Sequence, residues 1–531
     1  MNANEKFPDP SDSQAAAASR SSATSDHATD DGRKYPSGWK LAAVGLGLAL
    51  GTFLLALDST ILATAVPRIT DKFRSLEDVS WYQSAYLLTL SAFQLTWGKM
   101  YELFSIKWVY LASVTLFEIG SAICGAAPNS ETLIVGRAIA GLGGAGLYSG
   151  ALVIIAHTVR LEKRPLYTGL LGAVFGIASV AGPLLGGAFT DKVSWRWCFY
   201  INLPIGAVTI AIIVFLFPQA TQTIGSHTWR ERLRRFDLLG TALFVPGIVC
   251  LLLAMQWGGT RYSWSSGRII ALFVLFGVLA LAFVAVQIWK PERATVPPEI
   301  LLHRSVSGSI FFIFTLGAAF LTLSYYLPIW FQAVKGVSAV KSGIMNLPML
   351  LGLVISSMLA GGMVTKFGYY NPFMIASSII TSIGAGLTTL FEPDTSHSKW
   401  IGFQFILGFG IGLGLQQPAM VVQNVLPLKQ VPTATAMVVF AQTLGGAIFV
   451  AAAQAAFSNE LADTLAAKAP QIPAAQIIAI GATDFRKVVP EELVPIVQES
   501  RRAYDLVDGR RRARNRRIPR LQYRVCECDY G

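Results

Sequence analysis

Long apolar segments recur along the whole chain and are separated by shorter polar stretches. Each segment has about 18 or more residues, the length at which a helix crosses the hydrocarbon core of a bilayer. A membrane β-barrel would instead show short strands of alternating polarity. We therefore predict an all-α, polytopic membrane protein. The thirteen predicted helices are 41–66, 81–97, 108–126, 133–156, 168–190, 197–217, 238–257, 269–289, 310–331, 343–364, 372–390, 400–425 and 433–457.

The composition agrees with this pattern. Hydrophobic residues make up 53% of the 531 residues and charged residues 14%, and the mean hydropathy is +0.51. A soluble domain would carry about 25% charged residues. The five cysteines suggest no disulfide framework, and Cys526 and Cys528 are too isolated to predict a metal site. We expect neither a metal nor a cofactor.

Charges in the loops predict the orientation. The first 36 residues lack an apolar run and are typical of a disordered tail without a signal peptide. With this tail in the cytoplasm, the inner segments hold 19 Lys and Arg residues and the outer loops 10. Positive charge favours the cytoplasmic side. Basic loops facing an anionic leaflet also account for much of the net charge of +12, so no nucleic-acid partner is needed.

Two halves of the chain resemble each other. A segment that begins at Gly98 follows the second predicted helix, and a similar one that begins at Gly361 follows the tenth, 263 positions later. A segment that begins at Arg137 in the fourth helix likewise matches one that begins at Gln404, 267 positions later. These separations indicate duplication of a six-helix unit. Parallel repeats of this kind build transporters whose substrate site lies between the halves.

Small residues follow a regular pattern in the fifth predicted helix. Such residues let two membrane helices approach closely, and a proline in the same turn removes an amide donor, so the helix can bend there. A close-packed and bendable helix suits the moving seam of a transporter. The pattern consists of Gly169, Ala178, Gly182, Pro183, Gly186 and Gly187.

Several motifs together resemble one family. They are the segment from Leu57 to Pro67 around Asp58, the segment at Arg137, the Gly182-Pro183-x-x-Gly186-Gly187 pattern, the segment from Trp195 to Pro204, and the segment from Tyr325 to Gln332. They are similar to the fourteen-helix drug:proton antiporters of the major facilitator superfamily, and particularly to fungal multidrug and toxin exporters. The resemblance implies two six-helix bundles with two inserted central helices. It also implies export of hydrophobic or amphipathic molecules, such as drugs, toxins or secondary metabolites, in exchange for protons.

Three ionisable residues lie inside the predicted helices of the first half: Asp58, Glu118 and Arg137. Ionisable groups in membrane spans are costly and are candidates for function. From about 1.5 Å of rise per residue, all three can occupy one layer. Two carboxylates and one guanidinium leave one negative charge unpaired, and a desolvated carboxylate can take up a proton. We hypothesise that Asp58 or Glu118 carries the coupling proton and that Arg137 sets its affinity. The alternative is a static ion pair that holds helices together.

Polar residues in the second half are candidates for contact with the substrate. An aromatic cavity with a few hydrogen-bonding groups suits amphipathic molecules. The candidates are Tyr325, Tyr326, Gln416, Gln417, Asn424 and Gln442. Each could instead make a hydrogen bond between helices. Asp237 and His157 are predicted at helix ends, where charge can reach water. The loop after the second helix departs from the family pattern at Glu102, which puts a salt-bridge gate there in doubt.

The predicted organisation has six parts. Residues 1–38 form a disordered cytoplasmic tail, 39–218 a six-helix bundle, 219–304 two inserted helices with loops, 305–457 the five recognisable helices of a second bundle, 458–500 an outer loop and 501–531 a basic tail. That tail carries ten arginines and cannot span a bilayer, so the expected last helix is missing. A shifted reading frame or misjudged splice site is the favoured explanation, and a truncated variant is the alternative.

We expect a monomer in the plasma membrane, with the vacuolar membrane as the alternative. Its partners would be lipid, protons and a small molecule. No cluster of catalytic groups lies in the spans, so no enzyme is predicted. Two other functions stay open: uptake or exchange of a defined solute such as a siderophore chelate, and a sensor that does not transport.

Overall fold

Thirteen long helices make up most of the part of the chain that the structure describes. A computed structural model describes residues 38–74, 78–217, 231, 235–259 and 261–468. The helices are α1 (Trp39–Phe73), α2 (Val79–Leu103), α3 (Ile106–Ala126), α4 (Ser130–Thr158), α5 (Arg164–Lys192), α6 (Asn202–Leu216), α7 (Leu238–Trp257), α8 (Gly267–Trp289), α9 (Arg304–Lys335), α10 (Leu347–Phe367), α11 (Asn371–Thr388), α12 (His397–Leu415) and α13 (Val431–Lys468). Short helices Trp197–Tyr200, Ala339–Met345 and Gln417–Val425 extend α6, α10 and α12. The predicted all-α membrane fold is confirmed.

Each predicted span lies on one of these helices, but only eleven helical segments in the described chain are both long and apolar enough to cross a membrane. The two that fall short are α2 and α11, whose polar residues lower the mean hydropathy. Helix α13 continues to Lys468, beyond the predicted end at residue 457. The predictions for residues 1–37 and 469–531, including the basic tail, lie outside the described residues.

The helices pack in two sets that repeat the same pattern. In the first set α1 packs against α5, while α2 and α3 pack against α4. In the second set α9 packs against α13, while α10 and α11 pack against α12. The fifth helix of each set contacts the second helix of the other, because α5 packs against α10 and α13 against α2. The two sets therefore meet along two seams related by an approximate two-fold axis.

Burial separates central helices from peripheral ones. In the apolar segments of α4 and α12, 78% and 83% of the residues are buried, whereas in α8 only 11% are. Close approach in the centre depends on glycine: a Cβ atom on Gly143 of α4 would lie 2.7 Å from the carbonyl oxygen of Ser113 on α3. Helix α8 packs on α7 and exposes the rest of its surface, which suits contact with lipid.

The repeated segments occupy matching places on the membrane side where α1 begins, which we call the N-side. A Cβ atom on Gly361 would lie 2.6 Å from the carbonyl oxygen of Pro165 on α5. One on Gly98 would collide with Ala436 and lie 3.4 Å from the carbonyl oxygen of Pro432 on α13. Pro165 and Pro432 are 267 positions apart, a third repeated pair that the sequence analysis missed. Both seams are therefore tightly closed at the N-side.

Candidate functional site

A fully buried ion pair joins α1 and α4. Arg137 Nη1 donates to Asp58 Oδ2 at 2.6 Å, and the two residues are 0% and 1% exposed. Arg137 Nε donates to the carbonyl oxygen of Tyr82 at 2.8 Å, and the guanidinium lies 4.4 Å from the centre of the Tyr86 ring. The carboxylate, a carbonyl oxygen and an aromatic face thus contact the cation, whereas its Nη2 atom has no hydrogen-bond partner among the described residues. Two of the three predicted ionisable residues are therefore in direct contact.

The third residue, Glu118, is buried beside this pair without a partner of its own. Neither carboxylate oxygen has a hydrogen-bond partner among the described residues. Its side chain lies against Gly206 of α6, where any Cβ atom would collide with the carboxylate. Glu118 is close enough to Asp58 to interact with it electrostatically. The structure thus places two carboxylates and one guanidinium in one region of the first helix set.

Asn202, in the first turn of α6, links α6 to α1 and α3 beside the two carboxylates. Its amide donates to Ser121 Oγ at 3.1 Å and approaches Asp58 Oδ1 at 3.5 Å. Ser121 lies one turn after Glu118 on α3, and Gly206 lies one turn after Asn202 on α6. The amide is fully buried and its carbonyl oxygen has no described partner. Sequence reasoning did not select Asn202, although an amide in an apolar segment was a signal for it.

The small residues of α5 pack on α1 and α10. A Cβ atom on Gly182 would lie 3.0 Å from the amide nitrogen of Ile61, and one on Gly186 would lie 2.9 Å from its carbonyl oxygen. Ala178 is fully buried in the same apolar cluster as Ile61, and Gly187 is half-buried.

The remaining two motif residues of α5 face the second helix set. A Cβ atom on Gly169 would lie 2.7 Å from the carbonyl oxygen of Ser357 on α10. Pro183 lies inside α5 and packs close to Gly343, which belongs to the short helix before α10. The motif therefore serves both as a packing face within one set and as a contact between the sets.

The segment predicted as a loop after the second helix includes the last turn of α2, and it forms a polar contact between the two sets at the N-side. Lys99 Nζ and Glu102 Oε2 are 3.1 Å apart, and Thr433 Oγ1 donates to Glu102 Oε2 at 2.6 Å. Thr433 lies in the first turn of α13, where the helix dipole also favours a nearby carboxylate. The departure of this loop from the family pattern thus leaves a charged contact in place at Glu102.

The candidate substrate residues are not all in one place. Tyr326 donates to Gln454 Oε1 at 3.0 Å inside the second set, whereas Tyr325 is 51% exposed. Gln417 is buried, and its amide nitrogen donates to the carbonyl oxygen of Leu413 in the preceding turn, at the end of α12. Gln442 is half-buried, with its backbone packed against Gly317 of α9. The exposed Asn424 lies at the end of the helix that continues α12.

Gln416 is the candidate that reaches the first helix set. Its amide nitrogen donates to the hydroxyl of Tyr148 on α4 at 3.0 Å, and the hydroxyl lies 3.2 Å from Gln416 Oε1. Sequence reasoning missed Tyr148, because a tyrosine in a long apolar helix is most often a core residue. It also gave no reason to pair two residues that are 268 positions apart.

Asp237 is not the water-exposed boundary residue that was predicted. It is 6% exposed and accepts hydrogen bonds from Gly240 N (2.7 Å), Gln287 Nε2 (2.7 Å), and the amide and hydroxyl of Thr295 (3.2 and 3.0 Å). The carboxylate caps α7 and ties it to the segment that leads into α9. The prediction was wrong because position near a helix end does not reveal that a later segment covers it. His157 is half-buried, and its ring nitrogen bonds to the carbonyl oxygen of Val153.

Within the described residues, no group of three or more His, Cys, Asp or Glu side chains could hold a metal ion. The three cysteines of the described chain are buried and form no disulfide: Cys124, Cys198 and Cys250. Buried thiols of this kind pack as small apolar side chains.

The structure has two sets of apolar helices that meet along two seams. One set contains buried charges, and polar residues lie between the two sets. These features define a membrane transporter of the two-bundle class. The family model of the Major Facilitator Superfamily matches residues 48–450. The chain belongs to this superfamily and is an integral, multi-pass membrane protein.

Relatives of known name are fungal transporters. The chain is 53% identical over 490 residues to the MFS-type transporter astH of Aspergillus oryzae, covering 92% of this chain and 87% of that protein. It is 55% identical over 465 residues to the MFS-type efflux pump MFS1 of Arthroderma benhamiae, covering 87% of each. It is 53% identical over 459 residues to the efflux pump aflT of Aspergillus parasiticus, covering 86% and 89%.

Solved structures share the fold at low sequence identity. The human organic anion transporter MFSD10 (TETRAN) matches with a TM-score of 0.56 and 13% identity, over 87% of this chain and 99% of that chain. The proton:xylose symporter XylE, bound to 6-bromo-6-deoxy-D-glucose, matches with a TM-score of 0.53 and 15% identity, over 88% and 95%.

Proposed function

We propose that this protein exports hydrophobic or amphipathic small molecules and that inward proton flow drives the export. Two of the relatives described above are named efflux pumps, at 53% and 55% identity over most of both chains. The observation that carries the proton part is the buried Asp58–Arg137 pair with the unpartnered carboxylate of Glu118 beside it.

The charge balance of this site suits one exchangeable proton. Two carboxylates and one guanidinium have a net charge of −1, and a single bound proton makes the site neutral. Because a net charge inside a membrane protein is costly, the protonated and deprotonated forms favour different surroundings. Asp58 is held by Arg137, so we assign the exchangeable proton to the carboxylate pair, with Glu118 as the first residue to receive it. Arg137 then sets how readily the pair releases it.

Movement of the two helix sets would connect the proton site to the substrate. The small-residue face of α5 packs on α1, which carries Asp58, and the same helix contacts α10 of the second set. A change of charge beside α1 therefore acts on the helix that forms one of the two seams. In this proposal the seams close at the N-side in one state and open there in the other. Residues 39–218 and 305–457 would act as the two moving units, with 219–304 inserted between them.

The direction of transport rests on the orientation of the chain. The excess of Lys and Arg at the N-side supports a cytoplasmic N-terminus. The substrate would then leave the cytoplasm through the plasma membrane, with the protein acting as a monomer. Gln416, Gln417 and Gln442 are proposed substrate contacts, together with Tyr325 and Tyr326.

The test uses purified protein in proteoliposomes loaded with an acidic interior. Rhodamine 6G should accumulate in these vesicles, because protons that leave the acidic interior drive its entry. Nigericin, which collapses the proton gradient, should abolish the accumulation. Glu118→Gln should remove the dependence on the gradient, whereas Glu131→Gln, at an exposed position in the first turn of α4, should retain it. Equal accumulation with and without a gradient in the unaltered protein would reduce the function to facilitated diffusion.

A further inference from the structure

The hydrogen bond between Tyr148 and Gln416 lies between the two helix sets, within the membrane. Gln416 is 4% exposed and stands where α12 is interrupted, two residues before Pro418. Proline has no amide donor, so it favours an interruption of the helix at this point. The side chain leaves the helix axis there and reaches the hydroxyl of Tyr148 on α4. The position therefore projects an amide from one set toward the other.

Gly172 of α5 leaves the space that the amide occupies. A Cβ atom at this position would lie 3.0 Å from Gln416 Nε2 and 3.2 Å from Ser357 Oγ. One turn earlier, Thr168 Oγ1 lies 3.9 Å from the sulfur of Met420, which is one turn after Gln416. Helix α5 and the break in α12 therefore run side by side, and a side chain larger than hydrogen at 172 would push on the amide.

The bridge leaves hydrogen-bonding capacity unused. A glutamine amide has two donors and an acceptor with two lone pairs, whereas a tyrosine hydroxyl donates only once. In the described chain, the Tyr148 hydroxyl is the partner found for both amide atoms of Gln416. Hydrogen bonds between membrane helices are also weak on average, so a competing group can replace this one.

We propose that Gln416 reads the polar group of the substrate and that Tyr148 competes with the substrate for it. This inference rests on the proposed export function and specifies its substrate class as an apolar molecule that carries a carbonyl or hydroxyl oxygen. The amide of Gln416 donates to that oxygen once the substrate displaces Tyr148. Gly172 is the specificity-determining position, because the absence of a side chain there leaves room for the amide of Gln416.

Two matched ligands test this proposal. Flavanone and flavan differ in one carbonyl oxygen, and their affinities for the purified full-length protein in detergent can be measured by isothermal titration calorimetry. The measured quantity is the ratio of their dissociation constants. The unaltered protein should prefer flavanone by about threefold to tenfold, which is the effect of one buried hydrogen bond.

The two partners should respond in opposite directions. Gln416→Leu removes the donor, so the preference for flavanone should disappear. Tyr148→Phe removes the competitor, so the preference should rise by about threefold or more. Gly172→Ala should weaken flavanone binding more than flavan binding. In the control Gly402→Ala the added Cβ atom would meet no other helix or side chain within 4 Å, so the ratio should be unchanged. Size-exclusion chromatography of each variant checks that it is folded before the ratio is measured.

A bridge that only holds the helices together would change the affinities for both ligands equally in Gln416→Leu and Tyr148→Phe. That result overturns the proposal, as does equal affinity, or no affinity, of the unaltered protein for the two ligands. Gradient-driven accumulation of rhodamine 6G, measured on the same preparations, separates failure of this inference from failure of the proposed function. If the accumulation persists while the variants leave the ratio of dissociation constants unchanged, the substrate-reading role alone is wrong. If the variants change the ratio but the proton gradient has no effect on accumulation, proton antiport alone is wrong.

Discussion

Removal of the charge of Asp58 should destabilise the protein, and simultaneous removal of the charge of Arg137 should restore most of the loss. Asp58→Asn removes the negative charge that faces a guanidinium of 0% exposure, whose other contacts among the described residues are the Tyr82 carbonyl oxygen and the Tyr86 ring. Breaking one side of a buried ion pair costs about 3–5 kcal/mol, because it leaves an uncompensated buried charge. The cation–π contact is present before and after the substitution and does not change the difference, so we expect a loss of about 3–5 kcal/mol.

The double variant Asp58→Asn/Arg137→Gln removes both charges of the pair, so neither partner is left as an uncompensated ion. Its free energy of unfolding should lie above that of Asp58→Asn, and the coupling energy in the double-mutant cycle should reach at least about 2 kcal/mol. Unfolding by SDS in mixed micelles measures the free energy of unfolding of each protein in the cycle. The matched control is Glu118→Gln, which removes a buried carboxylate without a described partner and should be neutral or stabilising.

Additive effects, with a coupling energy below about 0.5 kcal/mol, would refute the reasoning, because residues that act independently add within that margin. The double-mutant cycle also separates loss of stability from loss of proton coupling in the transport assay. A single Asp58 variant can lose export through instability alone, whereas a folded double variant without gradient-driven export would assign the loss to the proton site itself.

Three further perturbations test other contacts. Gly182→Leu should lower transport at least about tenfold, because its side chain would collide with α1. The control Gly402→Leu, whose Cβ atom would lie in open space, should keep normal transport, and equal activity of the two variants would contradict the packing role of the motif. Asp237→Ala strips the acceptor from four buried donor groups and should destabilise the protein by about 2–4 kcal/mol in SDS unfolding, so an unchanged midpoint would show that the network contributes little. Thr433→Val removes the hydrogen bond to Glu102 and should speed hydrogen exchange in the first turn of α13; exchange at the original rate would place the closure of the N-side elsewhere.

The positions of the helices could be predicted from the sequence because hydropathy is a local signal. The contact of Asp58 with Arg137 followed from depth along two helices, since a buried cation needs an anion at the same level. The interruption of α12 at Gln416 was not predicted, although Pro418 is the residue that favours it. The predicted span 400–425 treated the region as one helix because its hydropathy is continuous.

Contacts between distant segments were beyond the sequence. Tyr148 and Gln416 are 268 positions apart, and the four donors to Asp237 come from residues up to 58 positions away. Nothing in the local pattern distinguishes a covered carboxylate at a helix start from a solvated one, because both cap the helix in the same way. A polar residue in an apolar segment marks a candidate, but the partner depends on which helices pack together.

The two seams between the helix sets differ in a way that bears on how the sets can move. Helix α7 packs over the α2–α13 seam, where Phe244 lies 5.3 Å from Phe440 between ring centres and Ile248 and Leu252 pack in one cluster with Ala92. Opening that seam must strip apolar side chains from one another. The α5–α10 seam has direct glycine-to-backbone contacts at Gly169 and Gly361, and no inserted helix with a comparable aromatic contact is described over it. The approximate two-fold symmetry of the fold is thus broken by the inserted helices, and we expect larger displacements along α5, which also packs on the helix that carries Asp58.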